Sequence, residues 1–210
     1  MKYGVIGTGA IGGYYGARLA QNGQEIHFLL RSDYDYVKQH GLQIDSCDGS
    51  FHLDALHVYN ATIDMPQCDI VLVCLKSINN HKLRDLLPPL LGPQTLVVLI
   101  QNGIGVEQDV QQMFPDVQLA AGLAFICSAK TEPGRVNHQC YGQINLGNYS
   151  CRDDALFTVY ATRLRFPSPY GDSLPLHATH RDCPRGRLRY AQTGHARSRT
   201  QILGCNYLTS

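Results

Sequence analysis

Apolar and polar positions along the first 150 residues alternate between strand-like runs and helical spacing. Runs rich in apolar and β-branched residues predict four strands, at residues 2–6, 24–30, 69–75 and 95–100. The last two runs are continuous enough for strands buried on both faces. Between the first two, residues 10–21 have apolar positions at helical spacing. This alternation predicts an α/β fold with a doubly wound, mostly parallel sheet and helices on both faces.

The short helix predicted after the second strand has recognisable ends. Ser32 or Asp33 is expected to cap its start and Gly41 to close it, so that the helix covers residues 33–40. Two later helices are predicted where apolar positions regain helical spacing, within residues 83–91 as far as Pro88-Pro89 and at residues 106–114.

The remaining apolar segments predict strands. Residues 42–45 and 51–58 flank an Asp48-Gly49 pair, which is typical of a tight turn between two strands. Another strand is expected from 117 to 128. Residues 134–147 predict a hairpin that turns at Tyr141-Gly142.

A glycine-rich loop joins the first strand to the first helix. It has the pattern GxGxxG in a strand–loop–helix setting, which is typical of a Rossmann-type dinucleotide site. The first glycine permits the tight turn, the second lets backbone approach a pyrophosphate, and the third lets the helix pack on the strand. The start of the helix would then bind the anion. We predict that the cofactor contacts the loop at Gly7, Thr8, Gly9, Ala10, Ile11 and Gly12. A turn without a ligand is the alternative.

The residue at the end of the second strand indicates which dinucleotide binds. Proteins that use NAD usually have Asp or Glu there, about 20 residues past the loop, to bind the ribose hydroxyls. This chain has Arg31, and a guanidinium can bind a 2′-phosphate through two charge-assisted hydrogen bonds. We therefore predict NADP(H) as the cofactor. An ordinary surface arginine is the alternative, and Asp33 lies close by in sequence.

Composition limits the classes of protein to consider. The chain has 210 residues, of which 44% are hydrophobic, and no apolar run approaches the ~18 residues of a membrane span. The N-terminus reads as a strand and not as a signal peptide, so we expect a cytoplasmic protein with no membrane partner. The eight cysteines include no CxxC pair, so we expect buried free thiols. His177, His180 and Cys183 lie close together, but we expect no metal site.

Five segments occur together in an order and spacing that resemble one known family. They are GTGAIGG at 7–13, LRS at 30–32, CLK at 74–76, QNGIG at 101–105 and GLAF at 122–125. This set resembles the N-terminal domain of the ketopantoate reductases, or 2-dehydropantoate 2-reductases, over residues 1–150. The resemblance implies NADPH-dependent reduction of a 2-keto acid, ketopantoate, to pantoate on the route to pantothenate and coenzyme A.

The resemblance also implies roles for residues outside the glycine loop. Lys76 corresponds to a lysine that contacts the cofactor, and Asn102 to a residue beside both nicotinamide and substrate. Ser128 lies near a further cofactor-contacting position. Lys76 and Asn102 both follow predicted strands, at the sheet edge where this fold binds ligands. The alternatives are a solvated strand end for Lys76 and a turn residue for Asn102.

The chain changes character near residue 150. Residues 151–210 contain nine arginines but no lysine or glutamate, and they show no sustained helical pattern. We therefore predict an NADP-binding Rossmann domain at 1–150 and an irregular or disordered tail at 151–210. Either the reading frame is lost between residues 149 and 165, or the tail is a genuine disordered basic segment. We expect no nucleic-acid partner.

The resemblance implies that a second, helical domain provides the general-acid lysine for ketone reduction. The last lysine of this chain is Lys130, so we assign no catalytic residue and expect cofactor binding with little turnover. Two alternatives remain open: an inactive NADP-binding remnant, and another 2-keto acid or opine-type reductase. The sequence does not indicate an oligomeric state.

Overall fold

The computed structural model describes residues 1–164, which form a nine-stranded sheet with packed helices. The strands are β1 (Lys2–Ile6), β2 (Glu25–Leu29), β3 (Leu42–Ser46), β4 (Phe51–Leu53), β5 (His57–Tyr59), β6 (Cys68–Val73), β7 (Leu91–Leu99), β8 (Gln118–Glu132) and β9 (Arg135–Asn148). The α-helices are α1 (Ala10–Gln21), α2 (Tyr34–His40), α3 (Leu83–Leu86), α4 (Val106–Met113) and α5 (Asp154–Arg163). Turns of 3-10 helix lie at Thr62–Asp64, Ser77–Lys82 and Pro88–Leu90.

The strands of the sheet follow the order β4-β3-β9-β8-β7-β6-β1-β2-β5. β1 pairs in parallel with β2 on one side and β6 on the other, so Val5 lies between Phe28 and Leu72. Among the described strands, only β3 with β4 and β8 with β9 pair antiparallel. The predicted doubly wound, mostly parallel sheet is therefore confirmed. Strand order reverses beside β1, and in such sheets the crevice at the carboxyl ends beside this reversal binds ligands.

Side chains that alternate along the buried strands divide into two apolar cores. One core joins alternate strand residues to α1 and α5, as at Val5, Leu72 and Phe157. The other joins the intervening strand residues to α3 and α4, as at Ile6 and Val110. Because successive side chains of a strand point to opposite faces, the two cores lie on opposite faces of the sheet. The predicted helices on both faces are therefore confirmed.

The single strand predicted at 51–58 is wrong. The structure has two short strands there, and they lie at opposite edges of the sheet: β4 pairs with β3, and β5 pairs with β2. The chain leaves one edge after Leu53 and joins the other at His57. The apolar spacing of the segment is compatible with one continuous strand or with two short ones. The two halves are distinct strands because they pair with different partners far along the chain.

The turn predicted at Tyr141-Gly142 is also wrong. β8 and β9 form one long hairpin that turns at Pro133-Gly134, where Gly134 has a φ of +66°. Tyr141 and Gly142 have φ of +68° and +113°, and the β8–β9 register shifts beside them. This local conformation is that of a bulge within β9, which a tight turn resembles in sequence because both favour glycine at positive φ.

Helix α2 begins after Asp33, as predicted, but the Asp33 side chain does not cap it. The carboxylate instead forms an ion pair with Lys130 and accepts hydrogen bonds from the Gly134 N–H at 3.1 Å and the Ser32 hydroxyl at 2.8 Å. Burial raises the pKa of Asp33, but these three donors outweigh it and hold the pKa below the ordinary 3.8. The carboxylate therefore links the end of β2 to the β8–β9 hairpin.

Replacing Asp33 by asparagine is expected to lower the free energy of unfolding at pH 7 by about 1–3 kcal/mol, because charged hydrogen bonds are lost. The lowered pKa means that the folded state binds fewer protons than the unfolded state. The stabilisation is therefore complete above pH 3.8 and is lost as the pH falls through the lowered folded value. Urea unfolding between pH 7 and pH 3 measures the free energies of unfolding of the wild type and the variant, and their difference should shrink as the pH falls. The exposed pair Asp45–Arg135 provides the control, since Asp45→Asn should cost less than about 1 kcal/mol. Equal losses from both substitutions would contradict the prediction.

The beginning of the predicted irregular tail is folded, so that prediction is wrong for residues 153–164. The Asp153 side chain caps α5 by accepting hydrogen bonds from the N–H groups of Ala155 and Leu156 at 2.9 and 3.0 Å. The buried face of α5 then packs on the sheet through Phe157, Tyr160, Ala161 and Leu164. Helical spacing is present over these three turns but ends too soon to stand out in the sequence.

Several sequence predictions fall beyond residue 164. The His177, His180 and Cys183 group and the remainder of the tail lie outside the described residues, while the loss of reading frame between residues 149 and 165 stays a prediction. Within residues 1–164, no helix has the length and apolar character that a membrane-spanning segment requires.

Buried free thiols are confirmed at Cys68 and Cys151, while Cys74 is partly buried and Cys47 is exposed. Burial raises the pKa of Cys68 and of Cys74 to about 12, so both thiols remain protonated at neutral pH. These two cysteines therefore act as apolar packing residues. The exposure of Cys47 corrects the prediction for that residue, because it lies in the turn after β3 and not in a buried strand.

Candidate functional site

The glycine loop lies at the carboxyl end of β1 and is fixed by hydrogen bonds on two sides. Gly7 has a φ of +93°, a left-handed conformation that favours glycine. The Gly9 N–H donates to the Gly7 carbonyl oxygen at 2.8 Å, which closes the turn. The Thr8 hydroxyl donates to the Leu29 carbonyl oxygen at 2.8 Å and so joins the loop to the end of β2. The loop is therefore held in shape without a ligand.

The first turn of α1, which Ala10 and Ile11 begin, suits an anion. No side chain caps the helix at Gly9, and the first turn contains no acidic residue. The first N–H groups of a helix lack partners within the helix, and its dipole places partial positive charge there. Such a helix start is able to bind a phosphate group.

The three glycines of the motif have different surroundings. A Cβ atom at Gly7 would lie 2.7 Å from the Leu75 nitrogen, and one at Gly12 would lie 2.5 Å from the Gly7 carbonyl oxygen. Both contacts are with backbone, so these two glycines permit the packing of strand, loop and helix. A Cβ atom at Gly9 would meet nothing within 4 Å. Gly9 therefore faces open space, as close approach of a ligand requires.

Arg31, Lys76 and Asn102 follow the carboxyl ends of β2, β6 and β7, and all three are exposed. β2 and β6 pair in parallel with β1, and β7 pairs in parallel with β6. The carboxyl ends of these strands therefore lie on the same side of the sheet, and the three residues lie there together with the glycine loop. Lys76 directly precedes the 3-10 helix Ser77–Lys82. The predicted grouping at one edge is therefore present.

Gln101 connects the segment after β6 to the segment after β7, a role that was not predicted from the sequence. Its side-chain amide donates to the Leu75 carbonyl oxygen and to the Asn80 side-chain oxygen, each at 2.7 Å. The Asn80 amide donates back to Gln101 at 3.3 Å. These bonds fix the segment that holds Lys76 against the one that holds Asn102. In the sequence, the position of Gln101 directly before the Asn-Gly pair could have indicated this role.

Asp33 does not oppose Arg31 as an uncompensated charge. Its carboxylate is buried and paired with Lys130, whereas the Arg31 side chain is exposed. The acidic residue that complicated the choice of cofactor is therefore neutralised within the fold. The Asp33–Lys130 pair carries no net charge, so Arg31 determines the charge at the end of β2.

Ser128 lies within β8 and not directly after the end of a parallel strand, unlike Arg31, Lys76 and Asn102. It is on β8, beyond the segment Gln118–Ala121 that pairs with β7, and it lies opposite His138 of β9. Its hydroxyl oxygen is buried and has no hydrogen-bond partner among the described residues. A buried hydroxyl without a partner is costly unless a ligand or water satisfies it. The structure thus gives the Ser128 hydroxyl a reason to bind a ligand.

The arrangement favours binding of an elongated anion. The helix start offers N–H groups at the strand-order reversal, and the cations Arg31 and Lys76 lie at the same edge on either side of β1. A pyrophosphate with a further phosphate group at one end matches this distribution of charge. Neither Arg31 nor Lys76 forms an ion pair within residues 1–164, so both cations remain available.

Comparison with known proteins gives a consistent result. The family described as ketopantoate reductase PanE/ApbA matches residues 3–150. A 2-dehydropantoate 2-reductase of Nostoc sp. is 48% identical over 149 residues, which are 71% of this chain and 47% of that protein. The crystal structure of 2-dehydropantoate 2-reductase from Geobacter metallireducens is 36% identical with a TM-score of 0.74, covering 78% of this chain and 55% of that one. The corresponding enzyme from Methylococcus capsulatus is 37% identical with a TM-score of 0.68 over similar shares. The chain therefore spans about half the length of the relatives it matches.

Proposed function

This chain belongs to the ketopantoate reductase PanE/ApbA family, and from that premise we propose that its described residues form an NADPH-binding site. Family membership implies a nicotinamide cofactor, and the further choice of NADPH depends on Arg31. The observation that carries the proposal is the open space at Gly9 beside an uncapped helix start. A cofactor pyrophosphate fits there because backbone can approach it without a side chain between them.

We assign separate binding roles to the residues around the loop. Gly7 and Gly12 keep strand, loop and helix close together, Gly9 leaves space for the pyrophosphate, and the N–H groups at Ala10 and Ile11 bind its oxygens. The Thr8 hydroxyl positions the loop through its bond to β2. These roles follow from the packing at the glycines and from the lack of a side-chain cap.

The exposed polar residues at the sheet edge would bind the remainder of the cofactor. The Arg31 guanidinium suits the 2′-phosphate, because it presents paired donors to phosphate oxygens. Lys76 contributes a second cation, and Asn102 an amide beside the site for the nicotinamide and substrate. Ser128 would use its unpartnered hydroxyl for a further contact. Gln101 is a positioning residue, since it holds the Lys76 and Asn102 segments together.

For the complete reaction, we propose reduction of a small 2-keto acid, ketopantoate, to pantoate. When bound, NADPH supplies a hydride to the ketone carbon. The ketone oxygen then needs a proton or a hydrogen-bond donor. The Asn102 amide is able to donate a hydrogen bond at this edge, but it does not transfer a proton. No lysine follows Lys130 within these 210 residues, so on their own they are a candidate for cofactor binding with little turnover.

Residues 1–210 on their own are expected to bind NADPH and to reduce ketopantoate about 10²–10⁴-fold more slowly than the Nostoc relative, because that range is typical of a general acid, to which we assign no residue among them. Titration by NADPH fluorescence measures binding, and oxidation of NADPH with ketopantoate measures turnover. The Nostoc 2-dehydropantoate 2-reductase is the reference in both assays. A panel of other 2-keto acids tests the substrate.

The two assays separate the parts of this proposal. Absence of NADPH binding by folded protein would overturn the cofactor site itself. Turnover equal to that of the reference would leave the cofactor site in place and overturn binding without turnover. Faster reduction of another 2-keto acid would overturn ketopantoate as the substrate.

A further inference from the structure

Three side chains of the types that bind metals meet at the turn after β3, beside Tyr14 and Arg18 of α1. Cys47 and Asp48 lie in this turn, and His138 lies on β9, where Ser46 pairs with it in the strand register. One ligand atom from each of the three lies within 4.8 Å of the others. We propose that Cys47, Asp48 and His138 bind a divalent transition-metal ion with the preferences of zinc.

Two of the three separations between the ligand atoms are close to those around tetrahedral zinc, and the third is within 4.8 Å. The Cys47 Sγ atom lies 3.6 Å from Asp48 Oδ1 and 3.8 Å from His138 Nδ1. Bonds of about 2.0–2.3 Å at tetrahedral angles separate neighbouring ligand atoms by about 3.3–3.6 Å. A shift of a few tenths of an ångström at Cys47 Sγ would therefore bring both separations into the range for tetrahedral zinc. Side-chain adjustment alone covers such shifts.

The hydrogen bonds of His138 leave the correct ring nitrogen for a metal. Its Nε2 atom lies 3.1 Å from the Tyr141 carbonyl oxygen, which can only accept, so Nε2 carries the hydrogen. The Nδ1 atom then has a free electron pair directed at Cys47 and Ser46. Metal-binding histidines commonly donate their other N–H to a carbonyl in this way. The ring is also nearly fully buried and lies against Tyr14, with ring centres 4.3 Å apart, which fixes its orientation.

The turn itself is held in the geometry that the site needs. The Cys47 N–H donates to the His138 carbonyl oxygen at 3.1 Å, so the backbone of both ligands is joined. The Asp48 N–H donates to the Ser46 hydroxyl oxygen at 3.1 Å, and Arg18 forms an ion pair with the Asp48 carboxylate at 3.6 Å. Arg18 contacts one carboxylate oxygen, Oδ2, and leaves Oδ1 beside the thiol.

One thiol, one imidazole and one carboxylate form a ligand set of the kind that zinc accepts. The Ser46 hydroxyl lies 2.8 Å from His138 Nδ1, and it must turn its hydrogen away when the metal takes that electron pair. The Cys47 thiol releases its proton to solvent on binding. Because Cys47 is exposed, a water molecule can complete the fourth position. The bound ion would fasten the β3–β4 turn to β9.

The test uses the full chain, reduced and freed of metal with a chelator, and titrated with Zn²⁺ by calorimetry and with Co²⁺ by absorption. Wild-type protein should bind one equivalent, show a thiolate-to-cobalt charge-transfer band and gain thermal stability with Zn²⁺. Cys47→Ser should lose that band and weaken Zn²⁺ binding by at least about tenfold. Asp48→Asn should weaken binding but keep the band. The variant His138→Asn removes the third ligand. If it fails to fold, the Cys47 and Asp48 variants still decide the outcome.

Two cysteine variants provide controls. Cys140→Ser changes a partly buried thiol on the same strand as His138, and it should bind Zn²⁺ like the wild type. Cys183→Ser tests the separate group of His177, His180 and Cys183 in the sequence. Loss of binding in Cys183→Ser with unchanged binding in Cys47→Ser would overturn the proposal. So would a wild-type protein that binds neither ion.

Discussion

Replacing Gly9 by alanine is expected to weaken NADPH binding by at least about tenfold, or 1.4 kcal/mol, while the folded protein keeps its stability within about 0.5 kcal/mol. The new methyl group would meet no protein atom within 4 Å, and Gly9, with φ −92° and ψ −149°, is outside the left-handed region that favours glycine. The methyl group therefore extends into the space proposed for the pyrophosphate. Fluorescence titration with NADPH and thermal unfolding without cofactor measure the two effects.

The same substitution at Gly12 provides the matched control. Its Cβ atom would lie 2.5 Å from the Gly7 carbonyl oxygen and 3.0 Å from Val5 Cγ1, so helix α1 must move away from β1. Such overpacking typically costs about 1–3 kcal/mol, from which the helix preference of alanine recovers at most about 1 kcal/mol. Gly12→Ala should therefore lower the unfolding temperature, unlike Gly9→Ala. If Gly9→Ala binds NADPH like the wild type, the cofactor does not contact the loop as proposed.

Replacing Arg31 by aspartate is expected to weaken NADPH binding by about 10–100-fold, since charged hydrogen bonds contribute about 1.5–3 kcal/mol. Binding of NADH should change little or improve, because a carboxylate at this strand end can accept hydrogen bonds from ribose hydroxyls. The ratio of the two dissociation constants, measured at fixed ionic strength, is the deciding quantity. Arg31 is exposed and forms no ion pair within residues 1–164, so the fold should tolerate the change.

A control for the change in net charge is available at Arg84, an exposed residue of α3. Arg84→Asp alters the total charge by the same amount on the opposite face from α1. It should leave the preference for NADPH over NADH unchanged. An equal shift in both variants would mean that general electrostatics, and not a specific contact of Arg31, determines the choice of cofactor.

The parts of the fold that sequence predicted well are those with strong local signals. The first strand, the glycine loop and α1 were predicted within a residue, because buried apolar runs and glycines at fixed spacing act locally. The separation of β4 from β5 was missed because it depends on partners far along the chain. Helix α5 was missed because its pattern covers only three turns before the sequence changes character.

The candidate site likewise contains residues with a local sequence signal and residues whose role depends on distant partners. Gly7, Gly9 and Gly12 follow a motif, and the structure adds a distinct packing reason for each. The role of Gln101 depends on contacts with Leu75 and Asn80, which are distant from it in sequence. Such a network of polar side chains has no periodic signature. It is visible only when strands β6 and β7 are brought side by side.

The pairing of β3 with β9 has a consequence for synthesis of the chain. Ser46 meets His138 across 92 positions, so β3 and β4 emerge from the ribosome long before their partner strand exists. At 5–20 residues per second, the delay is about 5–20 s. During that time the edge of β3 and the side chains of Leu42 and Ile44, which are buried in the finished protein, lack their final cover. The nascent chain therefore exposes an unpaired strand and apolar side chains, which favour aggregation, until β9 has been made.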